Sequence, residues 1–197
     1  MRDDRVSARP GQKTALLVID LQQGLCDAAP AAVMERVTGR ITALLAWAQA
    51  RSWPVIFVQH WTDPGTILER GTAAWQLSSA LNGHSPAFHL EKNVLSCFED
   101  GTLDAWLRAH GVGRLCITGM QSEHCVSAAC EGAAGLGYEV VLPVDAHMTI
   151  DGPQKSAADI VAEVNDRMGA FARRLPSGSL MALEDDCPGE ARGAATL

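Results

Sequence analysis

Nowhere in the 197-residue chain does an apolar run reach the ~18 residues that a membrane-spanning helix needs. Concentrated positive charge is missing as well. Sixteen basic residues face 23 acidic ones for a net charge of −7, with no basic cluster and no interleaving of basic and aromatic residues. Phosphate backbones are held by concentrated positive charge, so this balance argues against a nucleic-acid partner. The six cysteines (Cys26, Cys97, Cys116, Cys125, Cys130 and Cys187) contain no C-x2-C pair, the spacing that zinc sites favour. In a reducing compartment most of them are expected to be buried thiols acting as small apolar side chains. There is no internal repeat and no low-complexity block. The opening segment, MRDDRVSARPGQK, lacks the apolar centre of a secretory signal, which predicts a cytoplasmic protein with no membrane partner. Lysine is scarce too: three (Lys13, Lys92, Lys155) against thirteen arginines.

What is present is ordinary globular material, 47% hydrophobic and 20% charged. A chain of this length is expected to form one domain over 1–197, with a core at about 14–184, burying roughly 70% of its unfolded surface. Residues 14–19 (TALLVI) form a continuous apolar run, as in a strand covered on both faces, and end at Asp20. Val33, Val37, Ile41, Leu44, Leu45 and Ala48 then recur at helical spacing, with Pro30 suited to the first turn. A second strand is predicted at 54–58 (PVIFV), closing at Gln59 and His60. Leu103, Trp106, Leu107 and His110 mark a helix capped by Thr102 and stopped by Gly111 and Gly113. Strands at 114–118 and 138–143 flank a helical stripe of Val126, Ala129, Cys130 and Ala133. A last long helix runs from Ala157 through Ile160, Val161, Val164 and Met168 to Phe171. A weak strand is expected near 179–183, and the tail from Asp185 reads as frayed. Alternating strands and helices of this length predict an α/β fold, a three-layer α/β/α sandwich with an open, mainly parallel sheet.

In such sheets ligands bind beyond the carboxyl ends of the strands. That edge carries Asp20, Gln59, His60, the segment 119–125, Asp145 and His147. The irregular stretch 61–100 is too long for an idle connection and is expected to be a lid or wall over the site. Within 119–125 the chain leaves a strand and enters a helix at Cys125. A thiol in a helix's first turn faces the positive end of the dipole and unpaired N–H groups, which favours the nucleophilic thiolate and offers an oxyanion pocket. The plain alternative is a packed thiol. Cys125 lies about 140° round the helix from the striped Cys130, so the two point apart and are poorly placed for a disulfide. Cys26 is the other thiol near that edge. Asp20 is placed to exchange protons with a nucleophile, or to form a turn, and Lys92 to supply a point charge, or to be a solvated loop lysine.

Three blocks in order, TALLVI-D20-LQQ, LE-K92-NVLSCFEDGTL and ITGMQSEH-C125-VSAA, resemble the isochorismatase-like cysteine hydrolase superfamily, over about residues 14–171. Its members include nicotinamidases, N-carbamoylsarcosine amidases, biuret and ureidoacrylate hydrolases and streptothricin hydrolases. The resemblance implies a Rossmann-type sheet and a catalytic triad of Asp20, Lys92 and Cys125. It further implies a cis peptide at Met120–Gln121, an oxyanion hole from the N–H groups of Gln121 and Cys125, no cofactor, and a homodimer or homotetramer. The implied reaction is hydrolysis of a C–N bond in a small amide, ureide or carbamoyl compound through an acyl-thioester.

Departures narrow the expectation. Nicotinamidases carry Asp-x-His after the second strand, and a later His, around a metal; here His60 and Thr62 stand at the first pair, so His60 and Asp63 do not complete a three-ligand site. No metal is expected. Isochorismatases proper lack the cysteine, so Cys125 argues against vinyl-ether cleavage. Leu25, smaller than the family's frequent Phe, together with His60, Trp61, Trp75 and His124, forms the candidate substrate-binding set, with core or subunit packing as the alternative for the two tryptophans. Asp145 and His147 raise a rival Cys/His/Asp triad with Cys125. Two other functions stay open: a thiol redox switch at Cys125, and a non-catalytic ligand-binding relative on the same fold.

Overall fold

A computed structural model describes residues 12–185. Its strands are β1 (Lys13–Ile19), β2 (Val55–His60), β3 (Phe88–Lys92), β4 (Val112–Met120), β5 (Glu139–Pro143), β6 (His147–Met148) and β7 (Arg173–Leu175). They form a seven-stranded sheet in the order β3-β2-β1-β4-β5-β7, with β6 pairing the end of β4. Every pairing is parallel. β1 and β4 are central, which is why their sequences are apolar almost throughout: both faces are covered.

Alternation along β1 divides the core in two. Ala15, Leu17 and Ile19 face a layer made by α3 (Thr102–Ala109), α4 (Ser127–Gly135) and α5 (Ala157–Met168), where Leu103, Leu107, Ala129, Cys130, Val164 and Met168 are buried. Leu16 and Val18 face the opposite layer, α2 (Ala31–Ala50) and α6 (Ser177–Asp185), through Val37, Ile41, Leu44, Leu45 and Leu180. A strand's period of two and a helix's of 3.6 thus meet in three layers, as the sequence pattern predicts. A short helix, α1 (Gln23–Asp27), leaves the end of β1.

Several local expectations are corrected. The expected strand at 179–183 is part of α6. Ser177 donates through both its N–H and its hydroxyl to the Asp145 carboxylate (2.7 and 2.9 Å), anchoring the first turn, and Leu180 fills the core one turn on. α3 is preceded by Gly101 in the left-handed region (φ 75°), and Thr102 is its first residue rather than its cap. α5 stops at Met168, leaving Phe171 39% exposed beyond it. Three strands are absent from the sequence reading: β3, inside the irregular stretch 61–100, the two-residue β6, and β7. The expected fraying after Asp185 lies outside the described residues.

One glycine decides how closely the two central strands approach at the edge that matters. Gly119 has φ 118°, and a Cβ there would lie 2.0 Å from the Ile19 carbonyl oxygen. Only glycine lets the end of β4 sit against the end of β1, and this contact brings the residues after Ile19 beside those after Gly119.

Candidate active site

Three strand ends deliver the three residues. Asp20 follows β1 in the left-handed region (φ 47°), a conformation that Asp tolerates better than most residues. Its N–H donates to the Val58 carbonyl at 2.9 Å, which turns the carboxylate over the sheet edge. Lys92 is the last residue of β3, in register with His60 at the end of β2. Cys125 lies in a π-helical turn, Ser122–Val126, between β4 and α4.

The Lys92 ammonium gathers the rest. Its three N–H groups are shared among Asp20 Oδ2 at 2.9 Å, His60 Nδ1 at 3.0 Å, Cys125 Sγ at 3.2 Å and, longest, the Val94 carbonyl at 3.3 Å. The Lys92 and Asp20 side chains are 4% and 1% exposed. Burial pulls the lysine pKa down, but Asp20 and Cys125 outweigh it and the net direction is up, so the group is a cation. His60 is driven the other way, by burial first and then by the Lys92 charge. A neutral imidazole facing an ammonium accepts at Nδ1 and carries its proton on Nε2. Buried Gln22 clamps the His60 backbone: its Oε1 accepts from the His60 N–H and its Nε2 donates to the His60 carbonyl, both at 2.8 Å. The second oxygen of Asp20, Oδ1, is buried without a hydrogen-bond partner.

The sulfur differs from expectation in its protonation. Burial, then the Asp20 carboxylate, push the Cys125 thiol up to about 12 from an ordinary 9.0, and Lys92 offsets only part of this. At neutral pH the resting sulfur is therefore a thiol, not the thiolate expected from the start of a helix. A dipole effect of about 0.3–1 kcal/mol is too small to outweigh desolvation beside a carboxylate. The peptide Met120–Gln121 is cis. Gln121 is half-buried, and its carbonyl accepts from the N–H groups of His124 (3.1 Å) and Val126 (3.2 Å), opening the π turn.

The residues do not fit a metal at the nicotinamidase-like positions. Thr62 Oγ1 is engaged with Thr66 Oγ1 at 2.5 Å, and Asp63 is exposed. Asp20, His60 and Cys125 do place one donor atom each within 4.8 Å of one another, but Lys92 Nζ, 2.9–3.2 Å from all three, takes the central position. The ammonium supplies the positive charge that this donor set attracts.

A cavity of about 450 Å³ adjoins Lys92, walled by Trp61, Leu90, Asn93, Val94 and Cys97 among others, all from the 61–100 segment. Trp61 lies under the Arg70 guanidinium, 4.6 Å from its ring centroid. Trp75 is half-buried, and its carbonyl ties down Gln22 and Gln59 (2.7 and 2.8 Å). Leu25 is half-buried against the α2 layer. His124 points outward, 57% exposed and 3.7 Å from Glu123. Cys26 is buried, its thiol pushed up by burial. The rival triad is not assembled. His147 lies 2.8 Å from Ser122 and 3.1 Å from Asn165, while Asp145 holds Ser177. Sequence reasoning missed Gln22, Cys97 and Ser122. Gln22 stands two residues past Asp20, and Cys97 is fully buried with a pKa driven up by burial; nothing in their local sequence marks either.

Sheet order, the edge triad and the turn that carries the cysteine together define a class. Residues 14–170 match the Isochorismatase domain, and the chain belongs to that family. It is 36% identical over 165 residues to a streptothricin hydrolase of Streptomyces noursei, covering 83% of this chain and 59% of that protein. The chain thus spans about three fifths of that relative's length. Nicotinamidase of Escherichia coli is 28% identical over 185 residues, 73% of this chain and 87% of the enzyme. A solved isochorismatase family protein superposes with a TM-score of 0.70 at 31% identity, over 82% of this chain and 97% of that one. A cysteine hydrolase from Pseudomonas syringae pv. phaseolicola shares the fold with a TM-score of 0.82 at 22% identity, over 94% and 99%. Among the described residues no helix is long and apolar enough to cross a membrane.

Proposed function

We propose that the protein is a cysteine-dependent hydrolase of C–N bonds in small amide, ureide or carbamoyl compounds. The observation that carries this reading is Lys92 Nζ bridging Asp20 and Cys125 at 2.9 and 3.2 Å while Asp20 Oδ1 stays unpartnered. An acceptor with a bare buried oxygen, beside a thiol that burial keeps protonated, is a base waiting for a proton.

In the first step Asp20 takes the Cys125 proton, and Lys92 holds the thiolate as it attacks the substrate carbonyl. The developing oxyanion lies against the N–H groups of Gln121 and Cys125. Asp20, now a carboxylic acid, returns the proton to the leaving nitrogen as the C–N bond breaks, leaving an acyl-thioester and a free amine or ammonia. Asp20 then takes a proton from water; the hydroxide attacks the thioester, and the sulfur departs to regain that proton. No electron transfer enters, so no redox cofactor is required. Of the candidate binding residues, Trp61 walls the cavity and His60 lies beside Lys92, so these two flank the substrate in this reading. Leu25, packed on the α2 layer, Trp75, engaged through its carbonyl, and the outward-pointing His124 do not join that wall. His60 contributes its Nε2–H.

A panel of small amides, ureides and carbamoyl compounds, assayed for ammonia or amine release, tests the proposal. Wild type is expected to turn over at least one of them, Cys125→Ser to keep the fold and lose nearly all turnover, and a chelator to leave the rate unchanged. A folded Cys125→Ser variant with wild-type turnover contradicts it. Peroxide consumption without amide hydrolysis supports a thiol redox protein instead.

A further inference from the structure

Behind the turn that carries Cys125 lies a second polar set that the hydrolytic steps do not use. Ser122, the first residue of the π turn, is 0% exposed, and its Oγ is 2.8 Å from Nδ1 of His147 on β6. His147 is itself 2% exposed, and its Nε2 is 3.1 Å from Asn165 Oδ1 on α5. The direction of each bond follows from the last link. Asn165 donates through Nδ2 to the Val144 carbonyl at 3.3 Å, so its Oδ1 is an acceptor and His147 Nε2 carries the proton. Nδ1 is then bare, and the Ser122 hydroxyl donates to it. Burial holds this imidazole to its neutral form.

The arrangement has the outline of a Ser-His-Asn relay, yet Ser122 is sealed from any substrate. Its neighbours show what it does. Ser127, the first residue of α4, donates through Oγ to the Ser122 carbonyl at 2.7 Å and accepts from Arg167 of α5 at 2.8 Å. Thr149 donates to Glu123 Oε1 at 2.8 Å. Side chains from α5 and from β6 and its following residue therefore hold positions 122, 123 and 127, the first, second and following residues of the turn whose fourth residue is Cys125. A π turn relies less on its own i→i+4 ladder than an α-helix does, so these external ties bear directly on where the sulfur and its N–H point.

We infer that His147 is a positioning residue for the proposed hydrolysis, fixing the nucleophile turn by accepting the Ser122 hydroxyl and anchoring it through Asn165 to α5. The inference rests on the proposed function for its kinetic arm, but not for its chemical one. In the kinetic arm, His147→Leu and Ser122→Ala are each expected to lower kcat at least tenfold with KM within twofold. The double variant should be no worse than the poorer single, because both changes remove the same bond. His147→Gln, which offers one acceptor and one donor, is expected to recover most of the rate. In the chemical arm, alkylation of Cys125 by iodoacetamide at pH 9 needs no substrate, and should slow at least threefold in His147→Leu as the sulfur shifts from Lys92. Melting curves identify the folded protein used in both arms. If no amide is turned over by wild type, the hydrolase reading fails and the alkylation arm still decides the positioning role. Folded His147→Leu with a wild-type alkylation rate, and with wild-type kcat where turnover is measurable, overturns the inference.

Discussion

Replacing Lys92 by Met removes an ammonium that is 4% exposed and leaves behind a carboxylate that is 1% exposed, its Oδ2 losing a donor at 2.9 Å and its Oδ1 already without one. Met retains a straight stem of similar volume, so packing changes little. What remains is a buried charge without a partner. Deleting one member of such a pair costs about 3–5 kcal/mol, whereas deleting both is often close to neutral. For a domain of this size each kcal/mol is worth roughly 2–4 °C, so Lys92→Met is expected to melt roughly 6–20 °C below wild type. Asp20→Asn should fall by a comparable amount, and Asp20→Asn/Lys92→Met should cost no more than either single variant, far short of the sum of the two. Urea unfolding at pH 7.5 measures all three. Activity adds an independent readout: Lys92 is the group that draws the Cys125 thiol down, so Lys92→Met should also slow alkylation at neutral pH. Single variants costing under about 1 kcal/mol, with an additive double, would refute the reasoning that this ion pair is the buried keystone of the site.

Other outcomes follow from the same geometry. Gly119→Ala places a Cβ 2.0 Å from the Ile19 oxygen at φ 118° and is expected to cost more than about 3 kcal/mol, seen as a lost or sharply lowered melting transition; near-wild-type stability would show that the strand ends separate freely. Stability should form a plateau in pH. Cys125 and Cys130 are raised from 9.0 to about 12, so their contribution is present below about pH 9 and declines as pH rises through about 12. His60 and His147 are lowered from 6.5, so theirs is present above that pH and lost as pH falls below it. A melting temperature at pH 10.5 equal to that at pH 8 would contradict the burial assigned to the thiols.

The layered architecture is legible in the sequence because the central strands are covered on both faces. Every residue of TALLVI and RLCIT is buried, the polar Thr14, Arg114 and Thr118 included, and the stripes at Val37–Leu45 and Val126–Ala133 keep helical period. Edge elements are not legible for the opposite reason. β3 reads FHLEK, with alternate residues in solvent and no β-branched residue, so its pattern is that of a loop until β2 supplies a partner. The segment 179–183 is short and apolar, and only the Asp145 carboxylate holding Ser177 settles it as helix. At the site, Asp20, Lys92 and Cys125 stand out by sequence blocks, although they are 72 and 33 residues apart and meet only through sheet order. The state of the sulfur was beyond the sequence. It depends on how deeply Cys125 is buried and how near Asp20 stands, neither of which the start of a helix determines. The same holds for His147, a lone histidine in sequence whose partners Ser122 and Asn165 come from two other elements.

The direct test of the account is Asp20→Asn, because the carboxylate is assigned two opposite effects on one sulfur. Its charge raises the thiol at rest, and in the proposed mechanism it is the group that removes the proton. The variant should therefore be alkylated at Cys125 faster than wild type at pH 7, each unit by which the thiol falls multiplying the thiolate fraction about tenfold, while hydrolysis of any amide that wild type accepts is lost. Alkylation that is unchanged or slower, together with turnover that survives, would contradict the central claim that Asp20 is the proton acceptor for Cys125.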